Sequence, residues 1–217
     1  MSPIDENSGI PQDDFERAGL IDRLSQYLQA EPKAWHVRYN LALALHHEGR
    51  LDEALEQYRL VLAESPKHMQ SLVNIGGIHL SRNDAGEALK AFTSALSVWD
   101  VPLVRANLGV AYLQLGHLEE AERHLKAALE VDPKMPDAWT NLSSVLLQKG
   151  VLEKSAEASR KALELSEDFA MAHNNLAVAL SDLGQADEAR EHAQRALALG
   201  YPMHPDFLGR LGLGEDA

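Results

Sequence analysis

One spacing constrains this chain more than any other property. A Gly or Asn recurs as Gly49, Asn83, Gly116, Gly150 and Gly184, in steps of 34, 33, 34 and 34 residues. Three further series keep the same phase. An apolar position reads Leu41, Ile75, Leu108, Leu142, Leu176, and the small residue after it reads Ala42, Gly76, Gly109, Ser143, Ala177. A second small position reads Ala54, Ala88, Ala121, Ser155, Ala189. Independent positions do not hold one register by chance. A unit of this length that is apolar before and after a glycine turn is a pair of amphipathic helices. Such a pair cannot bury its apolar face alone and must stack on copies of itself.

The stretch Pro102–Pro133, PLVRANLGVAYLQLGHLEEAERHLKAALEVDP, shows the unit most clearly. Five units are expected, at residues 35–68, 69–101, 102–135, 136–169 and 170–201. Residues 1–12 are polar and acidic and are expected to be a disordered arm. Residues 13–34 hold one helix, N-capped at Asp13 or Asp14, with Phe15, Ala18, Ile21, Leu24 and Leu28 at helical spacing. This helix lies in phase with the second helix of a unit but carries Leu20 and Tyr27 where Pro102–Pro133 has Ala121 and Ala128. Bulk is tolerated there because no first helix has to approach, so it reads as a half-repeat capping the array. Residues 202–217 are expected to form a short C-terminal cap and tail, with Phe207, Leu208 and Leu211 folding back and the last residues fraying.

The single 33-residue step lies in the turn SVWDVPLVRA, where Trp99 is expected to fill space. The fourth unit departs most from the others. It has Ser155 at the small position and Ser159 where Tyr58 and Phe92 stand earlier, which predicts a thinly packed helix or room left for a partner.

Composition excludes several classes of function. The formal net charge of −13 is the wrong sign for neutralising phosphates, so no nucleic-acid partner is expected. With no cysteine there is no disulfide or thiolate chemistry. No apolar run approaches the roughly 18 residues of a membrane span, and the N-terminus has no signal-peptide pattern. A cytoplasmic protein without membrane insertion is the expectation. No P-loop, HExxH or GxSxG is present, so neither an enzyme nor a cofactor is expected. Of the ten histidines, His46 and His47 point roughly 100° apart on a helix, and Glu188 with His192 supplies only two ligands. They read as solvated surface histidines, with no metal site.

The pattern resembles the tetratricopeptide repeat (TPR), through Leu108-Gly109, Tyr112, Ala121 and Pro133 in one unit and Trp139 with Leu142 in the next, and the resemblance covers residues 13–201. It implies an all-α TPR solenoid: a right-handed superhelix of antiparallel helix pairs, with five full repeats between an N-terminal half-repeat and a C-terminal cap. In such arrays the first helices line a concave groove. The column Asn40, Asn74, Asn107, Asn141 and Asn175 falls at one point of every first helix, where helix propensity does not favour Asn. A carboxamide both donates and accepts. The column therefore resembles a ladder that hydrogen-bonds the backbone of an extended peptide, as in the TPR superhelix of O-linked N-acetylglucosamine transferases. A second reading, compatible with the first, has each Asn pair with the neighbouring repeat's backbone.

Tyr39, Leu103 and Val110 are expected to add side-chain surface. The rest of the expected lining (His36, Leu43, His47, Val73, Gly77, Ala106, Gln114, Thr140, Ser144, Gln148, Asn174, Val178, Asp182) is largely neutral. The basic clamp for a C-terminal carboxylate is absent at Tyr39, Leu43, Leu103 and Asn107. The expected function is binding an extended, neutral or weakly basic segment of another protein. The alternative is a self-assembling scaffold in which the end of one array docks into the groove of the next.

Overall fold

The computed structural model describes residues 14–213, with side chains from Gly19 onward. The arm expected over residues 1–12, an N-cap at Asp13, the side chains of Phe15 and Ala18, and the fraying of the last residues lie outside the described residues. Twelve helices and no strand occur among the described residues. They are α1 (Asp14–Ala30), α2 (Trp35–His47), α3 (Leu51–Glu64), α4 (Met69–Ser81), α5 (Ala85–Val98), α6 (Pro102–Gln114), α7 (Leu118–Val131), α8 (Pro136–Gln148), α9 (Leu152–Leu165), α10 (Ala170–Asp182), α11 (Ala186–Ala198) and α12 (Pro205–Arg210).

The helices pair because each first helix ends in the same backbone motif. At the end of α2 the Gly49 N–H donates to the His46 carbonyl and the Arg50 N–H to the Leu45 carbonyl. This double closure needs a left-handed residue, and Gly49 supplies it at φ 72°. The same bonds close α4, α6, α8 and α10. Asn83 takes the left-handed role after α4 at φ 58°, which among side-chain-bearing residues Asn tolerates best. The second helix then starts two residues later. Its first turn is acidic in α3 (Asp52, Glu53), α7 (Glu119, Glu120) and α11 (Asp187, Glu188), where carboxylates complement the helix dipole. Proline opens α6 and α8, where its missing N–H costs nothing.

The chain divides into two compact units at Asp100/Val101, inside the connection that carries the short step. In the first unit α2 pairs with α3 and α4 with α5, while α1 stands to α2 as α3 stands to α4. That is the half-repeat geometry. Ile21 and Leu28 are buried in the shared core, and Tyr27, 51% exposed, faces out as the absence of a partner helix allows. In the second unit the pairs are α6–α7, α8–α9 and α10–α11. Phe207 of α12 and Leu211 just after it are buried against the last pair, and the Arg190 Nε donates to the Leu211 carbonyl at 2.8 Å.

In the three central pairs one contact marks how closely the two helices approach. A methyl group added at Gly76 would overlap the ring of Phe92, and one at Gly109 would lie 2.5 Å from Leu125 Cγ. Phe92 and Leu125 are both fully buried. In the fourth pair the corresponding residues are Ser143 and Ser159, and their hydroxyls meet at 2.6 Å, with Ser155 Oγ 3.0 Å from Ser143 Oγ. Hydrogen bonds thus close a contact that a ring fills elsewhere. All three serines are completely buried, so Ser155 and Ser159 leave no opening for a partner. Trp99 corrects another expectation. It is 67% exposed and fills no space in the shortened turn.

Candidate functional site

Every first helix carries an equivalent stripe, open along α4, α6 and α8 and interrupted by buried Leu43 on α2 and buried Asn175 on α10. Helical spacing puts residues i, i+4, i+7 and i+11 on a common face. On α6 these are Leu103, Asn107, Val110 and Gln114, all half-buried or exposed. On α8 they are Asp137, Asn141, Ser144 and Gln148, and on α10 Met171, Asn175, Val178 and Asp182. Since α8 touches both α6 and α10, the three stripes lie side by side in the second unit. In the first unit the equivalents are His36, Asn40, Leu43 and His47 on α2, and Gln70, Asn74, Gly77 and Ser81 on α4.

The five asparagines are not equivalent. Asn175 is 5% exposed and its amide is already engaged. Its Nδ2 donates to Ser144 Oγ at 2.8 Å and to the Thr140 carbonyl at 3.3 Å, both on the preceding first helix. Asn74 donates to Tyr58 Oη at 3.1 Å, with Tyr39 Oη at 3.5 Å. At these two positions the amide stitches one repeat to the one before it. Asn107 and Asn141 are half-buried and Asn40 is exposed. None of the three makes a side-chain hydrogen bond among the described residues.

The residue preceding each Asn lies off the stripe. Val73, Ala106 and Thr140 are buried and do not line an open face, which corrects the lining read from sequence; Leu43 is buried as well. Tyr39 is half-buried, its ring 4.7 Å from that of His68 and 6.0 Å from that of Tyr58. Leu103 and Val110 sit on the open stripe of α6. Sequence reasoning missed Gln70, Ser81, Asp137 and Met171. Counting four back and seven on from each Asn would have found them.

The histidines also need correction, because several are internal. His79 is 8% exposed, and its Nδ1 lies 3.1 Å from Asp84 Oδ2, the residue that caps α5. His124 is 9% exposed and stacks on Tyr112 at 5.4 Å. His173, 8% exposed, meets His192. His68 caps α4, where its Nδ1 accepts the Ser71 N–H at 3.3 Å, and burial lowers its pKa from the ordinary imidazole value. Among the described residues no three His, Cys, Asp or Glu side chains are placed to hold a metal ion, and no helix is long and apolar enough to cross a membrane.

Comparison with known proteins agrees with this architecture. The family described as the Cilia and flagella-associated protein 70 C-terminal domain matches residues 13–203. Protein CTR9 homolog of Arabidopsis thaliana is 27% identical over 126 residues, which is 57% of this chain and 11% of that protein. Among solved structures, YrrB, described as a TPR protein with an unusual peptide-binding site, superposes with a TM-score of 0.66 at 19% identity, covering 87% of this chain and 96% of that one. The Cut9–Hcn1 structure of the APC/C gives a TM-score of 0.76 at 19% identity over 90% of this chain and 40% of its own. MamA of Desulfovibrio magneticus RS-1 gives 0.68 at 20% identity over 76% and 94%.

Proposed function

The chain belongs to the tetratricopeptide-repeat family described as the Cilia and flagella-associated protein 70 C-terminal domain, and from that premise we propose that it is a non-enzymatic protein-interaction module. The site we propose is the face formed by α6, α8 and α10, and its occupant is an extended, neutral or weakly basic segment of another protein. A peptide-binding site is described for YrrB, which shares the fold. The reading extends that use to the open stripes of this chain.

The observation that carries it is the difference among the asparagines. Asn107 and Asn141 place half-buried amides on adjacent helices with their bonding capacity unspent. A half-buried amide gains most from a partner that both donates and accepts, and an extended peptide backbone does both. Each such bond adds about 0.5–1.5 kcal/mol net, so two amides orient a peptide but do not hold it alone. Leu103 and Val110 on one side and Val178 on the other supply apolar surface for its side chains. In this division of labour Asn74 and Asn175 hold the repeats together, and Asn40 is an outlying rung. The stripe holds amides, hydroxyls and aliphatic groups with Asp137 and Asp182 at its edges, which suits binding without chemistry in the cytoplasm.

The test uses peptides selected against the whole protein from a displayed library of extended sequences. Replacing Asn107 and Asn141 together by alanine is expected to weaken the selected peptides about tenfold or more, at roughly 1.4 kcal/mol per decade. An affinity within a factor of two of the unaltered protein would remove this site from consideration. Asn175→Ala is the control, since it should lower stability through the bonds to Thr140 and Ser144 and leave Asn107 and Asn141 in place.

A further inference from the structure

The last helix pair contains a histidine pair that peptide binding does not use. His173 of α10 and His192 of α11 have ring centroids 5.1 Å apart, and their Nδ1 atoms are 2.9 Å apart. The other ring nitrogen of His173, Nε2, lies 2.8 Å from the Glu167 carbonyl in the connection between α9 and α10. A carbonyl only accepts, so His173 carries its proton on Nε2 and donates it there. Its Nδ1 is then a lone pair, and the short contact to His192 requires a proton on His192 Nδ1. One imidazole pair therefore ties three pieces of backbone together: α10, α11 and the connection before α10.

This arrangement counts protons. Adding one to the outer nitrogen of His192 leaves the bond between the rings intact. Adding a second, on His173 Nδ1, sets two N–H groups against each other at hydrogen-bonding distance and makes two cations share a site in which His173 is buried and His192 partly buried. The surroundings do not offset this. Arg160 of α9 approaches the pair and is held by Glu188 of α11 at 2.9 Å. Glu188 and Glu191 of α11 favour a charge on His192, whereas Arg160 and His173 oppose it. Asp168 of the connection is occupied by Arg195 of α11. Burial first, and His173 second, lower the His192 pKa from its usual value.

We propose that the His173–His192 pair is a proton-sensitive latch, closed while it holds at most one extra proton and released when both rings are protonated. The sign follows from linkage. Two separated histidines both take up protons as pH falls below about 6.5, whereas the facing Nδ1 atoms, 2.9 Å apart, leave room for one proton between them. Opening is therefore favoured as pH falls, by up to tenfold per pH unit for each proton the closed form refuses. Release concerns α11, because the His173 Nε2–H bond to the Glu167 carbonyl survives protonation of Nδ1. Helix α10 keeps its anchor on α8 through Asn175. The last pair would thus loosen in acid while Asn107 and Asn141 stay where they are.

The experiment uses the whole chain, with ring-nitrogen NMR and amide exchange corrected for its intrinsic pH dependence. At about pH 8 His173 should be the Nε2–H tautomer and His192 the Nδ1–H tautomer. Between about pH 8 and pH 5, opening of α11 should rise more than about fivefold relative to α6 and α7. His192→Gln can still donate to His173 but does not titrate, and it should bring that rise below about fivefold. Other tautomers, a smaller rise in the unaltered chain, or a full rise in the variant would each overturn the latch. Should the variant fail to fold, the tautomers and the exchange of the unaltered chain decide.

Discussion

Gly76 and Phe92 show how a single position sets the distance between two helices. The ring of Phe92 occupies the volume that a side chain at 76 would need, and it is fully buried with no route by which to yield. Overpacking of this kind costs about 1–3 kcal/mol. Gly76→Ala is therefore expected to destabilise the first unit by that amount in denaturant unfolding, although alanine is the better helix former. Phe92→Leu in the same chain should recover part of the loss, and a double-mutant cycle with no coupling would sever the two residues. At this scale much was legible. The small residue, the bulky residue that answers it and their common phase all stand in the sequence. The asparagines were legible as a column but not as individuals. Whether an amide is spent depends on Ser144 and the Thr140 carbonyl one repeat away for Asn175, and on Tyr58 for Asn74. A pattern of identical residues carries no record of which partners come within 3 Å.

At the scale of the element, α4 depends on a cap that acid can remove. His68 accepts the Ser71 N–H through Nδ1, which only the neutral ring can do, and its ring lies 5.3 Å from that of Trp35 and 4.7 Å from that of Tyr39. Protonation would end the cap and place a positive charge at a helix N-terminus, where the dipole opposes it. Burial holds the folded-state pKa of His68 below its unfolded value. Between the two values the unfolded chain binds more protons, so the stability this group contributes is complete above about pH 6.5 and is lost as pH falls. His68→Asn keeps a side-chain cap worth about 1 kcal/mol but removes the titration. Stability of the first unit measured from about pH 7 to pH 5 should fall less steeply in the variant than in the unaltered protein. The buried histidines escaped sequence reasoning because a histidine on a polar helix face usually meets water. His124 and His173 are inside because Tyr112 and His192 meet them across a helix pair once it has formed, and His79 is inside beside Asp84, which reaches it across the turn.

The whole molecule carries a formal charge of −13, yet the face proposed to bind is nearly neutral. Many of the cations are spent on ion pairs that join one repeat to the next: Asp52 with Arg82, Glu122 with Lys149, Glu188 with Arg160, Asp168 with Arg195 and Asp182 with Arg210. Four of these pairs are exposed and contribute about 0–1 kcal/mol each, weakening in salt, while Glu122–Lys149 is partly buried. They fix register more than they add stability. A neutral peptide on the α6–α8–α10 face should therefore bind with an affinity that changes less than about twofold across a tenfold range of salt, in contrast to the steep dependence of phosphate binding. Isothermal titration at the two ends of that range measures it, and a large salt slope would place the contact on the acidic surface.

The matching of bulky to small residues also has a bearing on how such a chain can grow. Gly76 and Phe92 lie on either side of one glycine-type turn, as do Gly109 with Leu125 and Ser143 with Ser159, so each complementary couple is contained in a single stretch of gene. A duplication that begins and ends in the connections between pairs copies both halves of a couple together, and the new pair arrives already fitted. A crossover at the turn instead hands the first helix of one lineage to the second helix of another, so that a first helix with serine in place of Gly76 would meet Phe92. Inheritance can therefore shuffle whole pairs freely, with each couple passed on intact, while the amides and ion pairs between repeats are left to be renegotiated at every new junction.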